Sequence, residues 1–571
     1  MSARCLARSR GYPVRKNIVG SMGGGWTWTN GWFMLRITYN NDRSGEQGRL
    51  TSMTLDMAPE PRDSQRVAVE KLAASGNAAR MGESAADHVD VLVVGAGISG
   101  VGAAWHLAHQ CPDLRFMVVE RAESFGGTWL THKYPGIRSD SDLYTFGYRF
   151  KPWTGTPIAT AEEILRYMRE VIADNNLDQR IHYRTAVESA AWDSAASRWA
   201  VTMRDLATGE ARTVRASFLW MCQGYYRHDR GYTPEWPGMD DFRGRIVHPQ
   251  EWPGDLDMTG KKVVVIGSGA TAATLVPALA GKCASVTMLQ RSPTYFMTGR
   301  NANELADTLR QLEVKEEWIH EIVRRKILFD QKAFADRAAA EPEAVRADLL
   351  ANVRLHLGDA APVEPHFAPT YRPWRQRIAF VPDGDLFTAI REGKASVVTD
   401  QIRSFTPEGV ALQSGETLEA DVIVTATGFN LNVLGDVAFT IDGKPLDFAD
   451  TVTWRGLMFT GMPNMVWVFG YFRASWTLRV DIIADFVCRL LRHMQERGAK
   501  SVVPALRPED GDMRLSPWVD TEDFNPGYLT RGLHLLPKQG DRAEWRHTQD
   551  YWLDKDILPT VDLDEPTLRY G

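Results

Sequence analysis

Two glycine-rich turns carry most of the chemistry that this chain can do. The first, Gly95-Ala-Gly97-Ile-Ser-Gly100, follows a β-branched run from Val89 to Val94 and opens a small-residue helix from Val101 to His109. In such a turn the first glycine permits the strand-to-helix bend, and the second lets a pyrophosphate reach the backbone. The third brings helix and strand into close packing. N–H groups at the helix start then face the anion. A second strand, Phe116 to Val119, ends on Glu120, 20 residues beyond Gly100, where a carboxylate accepts hydrogen bonds from a ribose diol. That acid repels a 2′-phosphate, so the site suits FAD or NAD and not NADP.

A near copy begins at Lys262. Val263 to Ile266 leads into Gly267-Ser-Gly269-Ala-Thr271-Ala272, a helix to about Ala280 and a strand from Val286 to Leu289. Ala272 replaces the third glycine, which the pattern tolerates. Where the acid stood in the first copy, this one reads Gln290-Arg291-Ser292. A guanidinium there matches a phosphate, so the second site selects NADP. One acidic and one basic dinucleotide site point to a bound flavin, FAD, and an exchanging NADPH.

Between the two copies lies Phe242-Arg-Gly244-Arg-Ile-Val-His248-Pro-Gln-Glu-Trp252-Pro253. This pattern resembles the fingerprint of Baeyer–Villiger monooxygenases, class B flavoenzymes that turn ketones into esters or lactones. Related N- and S-oxygenating enzymes usually end it in Tyr instead of Trp. The resemblance runs from about residue 88 to the C-terminus and is strongest to the mycobacterial ethionamide-activating type. Gly126-Gly127-Thr128-Trp129, then Tyr134-Pro-Gly-Ile-Arg138-Ser-Asp140, is similar to the family's segment over the flavin. Tyr371-Arg-Pro-Trp374-Arg-Gln376-Arg377 is similar to the segment holding its active-site arginine, which the resemblance assigns to Arg377. Many relatives carry Lys just before that arginine. Gln376 departs from this, so Arg291 carries more of the 2′-phosphate recognition. Ala426-Thr427-Gly428 resembles the hinge returning to the flavin domain, and Cys222-Gln-Gly224 its looser first counterpart.

The resemblance implies a full reaction. NADPH reduces FAD, a C4a-peroxyflavin forms with O2, and it attacks the carbonyl of a hydrophobic ketone, or a thioether sulfur. Arg377 supplies fixed positive charge and must move, since the nicotinamide uses the same space. Asp140, beside the isoalloxazine and nicotinamide, holds the guanidinium. His248 lies outside the reacting centre and couples domain movement to turnover. Two rivals stay open: an N- or S-oxygenating monooxygenase, and a flavin-binding redox sensor that does not oxygenate.

Positioning these residues requires an α/β fold with two dinucleotide-binding, Rossmann-like domains. We expect a first FAD part at 87–226, a first NADP part at 227–297, and a helical insertion at 298–372. The NADP part resumes at 373–417, and 418–571 completes the FAD domain with a C-terminal segment. In the insertion, Leu305, Leu309 and Leu312, then Ile319, Ile322 and Val323, recur at helical spacing. A long amphipathic helix is expected from about Leu478 to Arg497, stopped by Gly498. Tryptophans and prolines scattered over 500–571 suggest a segment wrapping the surface.

Composition narrows the class. The 571 residues carry a net charge of −6, which argues against nucleic acid as a partner. Five cysteines stand far apart with no C-x-x-C, excluding dithiol–disulfide reductases and fitting a cytoplasmic setting. No apolar run reaches the roughly 18 residues of a membrane span. No metal site is expected, and His106 and His109 read as surface residues. No G-x-S-x-G occurs, which disfavours a serine hydrolase. Residues 1–86 hold 12 basic and 7 acidic side chains and show no sustained periodicity. We expect a tail or upstream sequence, with Met57 and Met81 as alternative starts. Peripheral membrane contact through the Trp26–Met34 cluster stays open.

Overall fold

The structure, a computed structural model, describes residues 88–571; the expectations for 1–86 lie outside them. β1 (His88–Val94) shows why an unbroken apolar run suits a central parallel strand. Val91 and Val93 enter one core, Leu92 and Val94 another, so both faces are covered. β1 is followed by α1 (Ile98–Gln110) and β2 (Phe116–Val119), with β2 and β3 (Ala211–Met221) flanking it in parallel. Antiparallel strands Thr185–Asp193 and Arg198–Asp205 extend this first sheet, and Met465–Trp467 pairs with β3 from far along the chain.

The second sheet repeats the logic. β4 (Lys262–Ile266), α2 (Ala270–Leu279) and β5 (Ser285–Gln290) form its βαβ unit. Its five parallel strands run Ser396–Thr399, β5, β4, β6 (Val422–Thr425), Arg245–Val247. Val263 and Val265 face one core, Val264 and Ile266 the other. β6 keeps the chain in the second sheet as far as Thr425, and it leaves at the Ala426-Thr427-Gly428 turn. The two connections between sheets, Tyr226–Gly231 and Phe429–Leu431, pair antiparallel with each other.

The helical insertion bridges both sheets because its helices bury different stripes. Ile319, Val323 and Ile327 of α3 (Glu316–Ala340) join the first sheet's core. Leu350, Val353 and Leu357 of α4 (Pro342–Leu357) join the second's. Arg324 fastens α3, donating to the carbonyls of Tyr144 (2.9 Å), Thr145 (3.3 Å) and Gly147 (3.0 Å), with Asp481 at 3.5 Å. A buried guanidinium is tolerated only when its donors are satisfied in this way.

α5 (Trp476–Arg497) packs along α1 and ends on Gly498, whose φ of 67° is the left-handed cap. Its first turns are buried all round, from Thr477 to Ala484, rather than on one face as the pattern suggested. The C-terminal tryptophans also depart from a surface wrap. Trp518 stacks on His547 at 3.8 Å, and both Trp518 and Trp545 are fully buried. His106 is likewise buried, bonded to Gln110 and facing Asp481 and Asp485, not a surface residue.

Candidate functional site

The first turn is a tight backbone cradle. Gly95 adopts φ +101°, and a methyl there would lie 2.7 Å from the Cys222 carbonyl oxygen. Gly100 is tighter still, since a methyl would sit 1.8 Å from the Gly95 carbonyl oxygen. Gly97 caps α1 without any side-chain hydrogen bond, leaving the helix's first N–H groups free for an anion. Gly127 faces Gly97, and the Gly126 N–H donates to the Ala96 carbonyl at 3.0 Å. This hangs Gly127, Thr128 and Trp129 over the cradle. The Glu120 carboxylate accepts from the N–H groups of Ala96 (2.6 Å) and Ala122 (2.8 Å), at the edge of the turn.

The second turn is as tight at its first glycine, where a methyl on Gly267 would lie 2.3 Å from the Ala426 carbonyl oxygen, and open at its second. α2 also begins on an uncapped glycine, Gly269, where an added methyl would meet nothing. Ala272 is fully buried in the helix–sheet contact, so its methyl is accommodated here. Thr271 contacts the Tyr134 hydroxyl, whose burial raises its pKa. Gly136, at φ +78°, brings that same segment against Ala278 and Thr274 of α2. Arg291 lies exposed just past the end of β5.

Asp140 and Arg377, 237 residues apart, meet where these elements converge. Arg377 Nε is 2.8 Å from Asp140 Oδ2, and its Nη2 donates to Asp140 Oδ1 (3.0 Å) and Ser141 Oγ (3.2 Å). Burial works against the guanidinium's charge, but the Asp140 carboxylate beside it holds its pKa above the usual value. The side chain nevertheless keeps 42 % exposure, so it is crowded by polar neighbours yet open on one side. Gln376 precedes it, half-buried. The tyrosines form a cluster: Tyr225 and Tyr226 share a hydroxyl contact of 2.5 Å, and Tyr528 interacts with both. Burial raises all three pKa values, so they remain protonated donors.

His248 sits between the two inter-sheet connections. Its Nε2 is 3.0 Å from the Gly428 carbonyl, and its Nδ1 accepts from the Gln250 N–H at 3.1 Å. On the other side its ring lies against Gly231 so closely that a methyl there would overlap it. Burial lowers its pKa, so the ring is neutral near pH 7 and Nε2 carries the proton donated to Gly428. The rest of the motif is structural: Phe242 packs with Val264 and Phe405, and Gly244 passes the Asp421 carbonyl with no room for a methyl. Trp252 packs against the second sheet's core.

The structure therefore gathers Gly95, Gly97, Gly100, Glu120, Gly127, Thr128 and Trp129 at one turn, and Gly267, Gly269, Thr271 and Ala272 at the other. Sequence reading missed the tyrosine cluster. Only the adjacent pair Tyr225-Tyr226 after Cys222-Gln-Gly224 hints at it, and Tyr528 lies some three hundred residues away.

Comparison with known proteins agrees with this architecture. Residues 89–351 match the family described as Pyridine nucleotide-disulphide oxidoreductase. The chain is 45% identical over 486 residues to the FAD-containing monooxygenase EthA of Mycolicibacterium smegmatis, covering 85% of this chain and 97% of that protein. It is 44% identical over 488 residues to the probable FAD-binding monooxygenase AlmA of an Acinetobacter species, covering 84% and 96%. Among solved structures, an oxidized steroid monooxygenase bound to NADP superposes with a TM-score of 0.62 at 26% identity, covering 74% of this chain and 88% of that one. With its two dinucleotide turns intact and this likeness extending over nearly the whole of such relatives, the chain belongs to the FAD-containing monooxygenases.

Proposed function

We propose that this monooxygenase inserts one oxygen atom of O2 beside the carbonyl of a hydrophobic ketone, giving an ester or lactone. FAD and NADPH are its cofactors. Bound FAD, reduced by hydride from NADPH, supplies the activation of O2. The first turn fits FAD: Gly95 and Gly100 leave room only for backbone, α1 starts uncapped at Gly97, and Glu120 stands ready for a ribose. Gly127, Thr128, Trp129 and Asp140 would cover the flavin. The second turn fits NADPH: Gly267, Gly269, Thr271 and Ala272 would hold the pyrophosphate, and Arg291, with Gln376, would read the 2′-phosphate. The first sheet is then the FAD domain, and the second, with its helical insertion, the NADP domain.

The Asp140–Arg377 pair carries the reading. A guanidinium fixed by a carboxylate and ringed by protonated tyrosines stabilises negative charge that develops as oxygen is transferred. Asp140 keeps it oriented, and its open side lets it swing aside. The motif's Trp252 favours the ketone reaction over N- or S-oxygenation. His248, bonded to one connection and packed on the other, transmits movement between the domains.

The test is incubation with NADPH, O2 and a panel of ketones and thioethers, with products identified by mass. Esters or lactones are expected, with sulfoxides as a side activity. Sulfoxides or N-oxides alone would show a heteroatom oxygenase, and no substrate-dependent NADPH consumption would show a redox sensor. Arg377→Ala should abolish oxygenated product while leaving flavin reduction largely intact. Unchanged product formation would remove its assigned role.

A further inference from the structure

Arg377 ends a loop that contains a strained residue. Trp374 adopts φ +66°, a left-handed conformation that a bulky side chain rarely takes. Such a conformation persists only where surrounding structure holds it, and it tends to occur beside functional groups. Here the hold comes from two distant pieces of chain. Arg473 Nε donates to the Trp374 carbonyl at 3.1 Å. The same guanidinium donates to Asp523 Oδ2 (2.8 Å) and to the Asp523 carbonyl (2.8 Å), and it lies over the Phe524 ring at 5.3 Å. Phe524 in turn stacks on Phe472 at 4.9 Å.

The rest of the loop is tied to the same place. Arg372 donates to Asp523 Oδ1 at 2.5 Å, Arg375 approaches Glu522 at 3.4 Å, and the Arg375 carbonyl accepts from the Asn525 N–H at 3.0 Å. Partial burial works against the Asp523 charge, but Arg473 and then Arg372 outweigh it and hold the carboxyl below its ordinary range. Three arginines crowd this short loop, and each has its own acid: Arg372 with Asp523, Arg375 with Glu522, Arg377 with Asp140.

We propose that Asp523 and Arg473 form a latch that holds the 371–377 loop in its strained shape and so aims Arg377 at Asp140. They are positioning residues, acting on Arg377 through the loop that carries it. The inference rests on Arg377 being the charge that serves oxygen transfer. Isolated ion pairs this exposed contribute little. The latch works through one planar guanidinium bonded to both segments at once, a geometry lysine cannot reproduce.

The test uses full-length, flavin-loaded Asp523→Asn and, separately, Arg473→Lys. Amide hydrogen exchange in the peptide spanning 371–377 should accelerate about tenfold or more in both, with β1 and α1 peptides unchanged. The share of NADPH oxidation that yields oxygenated product should fall about threefold, the remainder appearing as hydrogen peroxide, with the KM for NADPH changed less than about twofold. Unchanged exchange in both variants overturns the latch. Faster exchange with an unchanged product share overturns its positioning role. Arg377→Ala judges the underlying reading separately: if that variant still oxygenates, the reading falls, while exchange alone still decides whether the latch exists.

Discussion

Positions within the two dinucleotide turns differ in their tolerance for a methyl group, and this can be measured. In Gly100→Ala the new Cβ would lie 1.8 Å from the Gly95 carbonyl oxygen and 2.8 Å from its carbon. Carbon atoms in contact prefer about 3.5–4.0 Å, so α1 must move away from the strand by more than about 1 Å. That displacement loosens Val101, Ala104 and Leu107, all fully buried in the first core. Overpacking of this kind costs about 3 kcal/mol, the upper end of its usual range, because the obstacle is backbone and cannot rotate away. A loss of that size lowers the melting temperature on the order of 5 °C in a domain this large. The protein should also purify with well under half the flavin of the wild type. Gly269→Ala is the control at a turn glycine with room for a methyl. Its methyl meets nothing within van der Waals range, and φ −76° is open to alanine. Its melting temperature should therefore stay within about 2 °C, since replacing a helix-capping glycine costs at most about 1 kcal/mol. The methyl would instead stand where the pyrophosphate approaches, raising the KM for NADPH about tenfold. Melting scans, flavin absorbance of the purified protein and NADPH titrations report the three quantities. A yellow Gly100→Ala protein melting like the wild type would refute the steric reasoning. So would a Gly269→Ala protein as unstable as Gly100→Ala.

Two further outcomes follow from the charges. Arg291→Ala should raise the KM for NADPH by about tenfold or more and leave that for NADH nearly unchanged, because only the 2′-phosphate loses a charge-assisted partner; parallel changes with both nucleotides would show that Arg291 does not read the phosphate. His132 is buried, and burial first, then the charges of His228 and His248, lower its pKa to about 4. Since the folded value lies below the unfolded 6.5, its contribution is complete above about pH 6.5 and is lost as pH falls toward about 4, reaching about 1.4 kcal/mol at pH 5.5. His132→Gln should flatten that part of the stability–pH profile measured by chemical unfolding; His320, also lowered to about 4, leaves part of the slope in place. Superimposable profiles for variant and wild type would contradict the assignment.

Much of this protein can be read along the chain, because the relevant physics is local. A β-branched run, three small residues at fixed offsets and a helix start lie within one βαβ unit, so both dinucleotide turns, Glu120 and Arg291 are recognisable from consecutive residues. Strands β1, β2, β4 and β5 and the glycine stop of α5 follow from patterning in the same way. Tertiary structure alone decided what depends on distant segments meeting. Nothing in the composition of the 371–377 loop distinguishes Arg372, Arg375 and Arg377; the partner each finds, at Asp523, Glu522 or Asp140, separates them. The three tyrosines converge from two remote stretches, and α3 docks on the first sheet although it is inserted within the second, because Arg324 finds carbonyls there. Gly100 must be glycine because the Gly95 carbonyl lies behind it, while Ala272 fits its packing. Local sequence encodes conformational preference, whereas which charges pair and which methyls fit are set by packing between residues hundreds of positions apart.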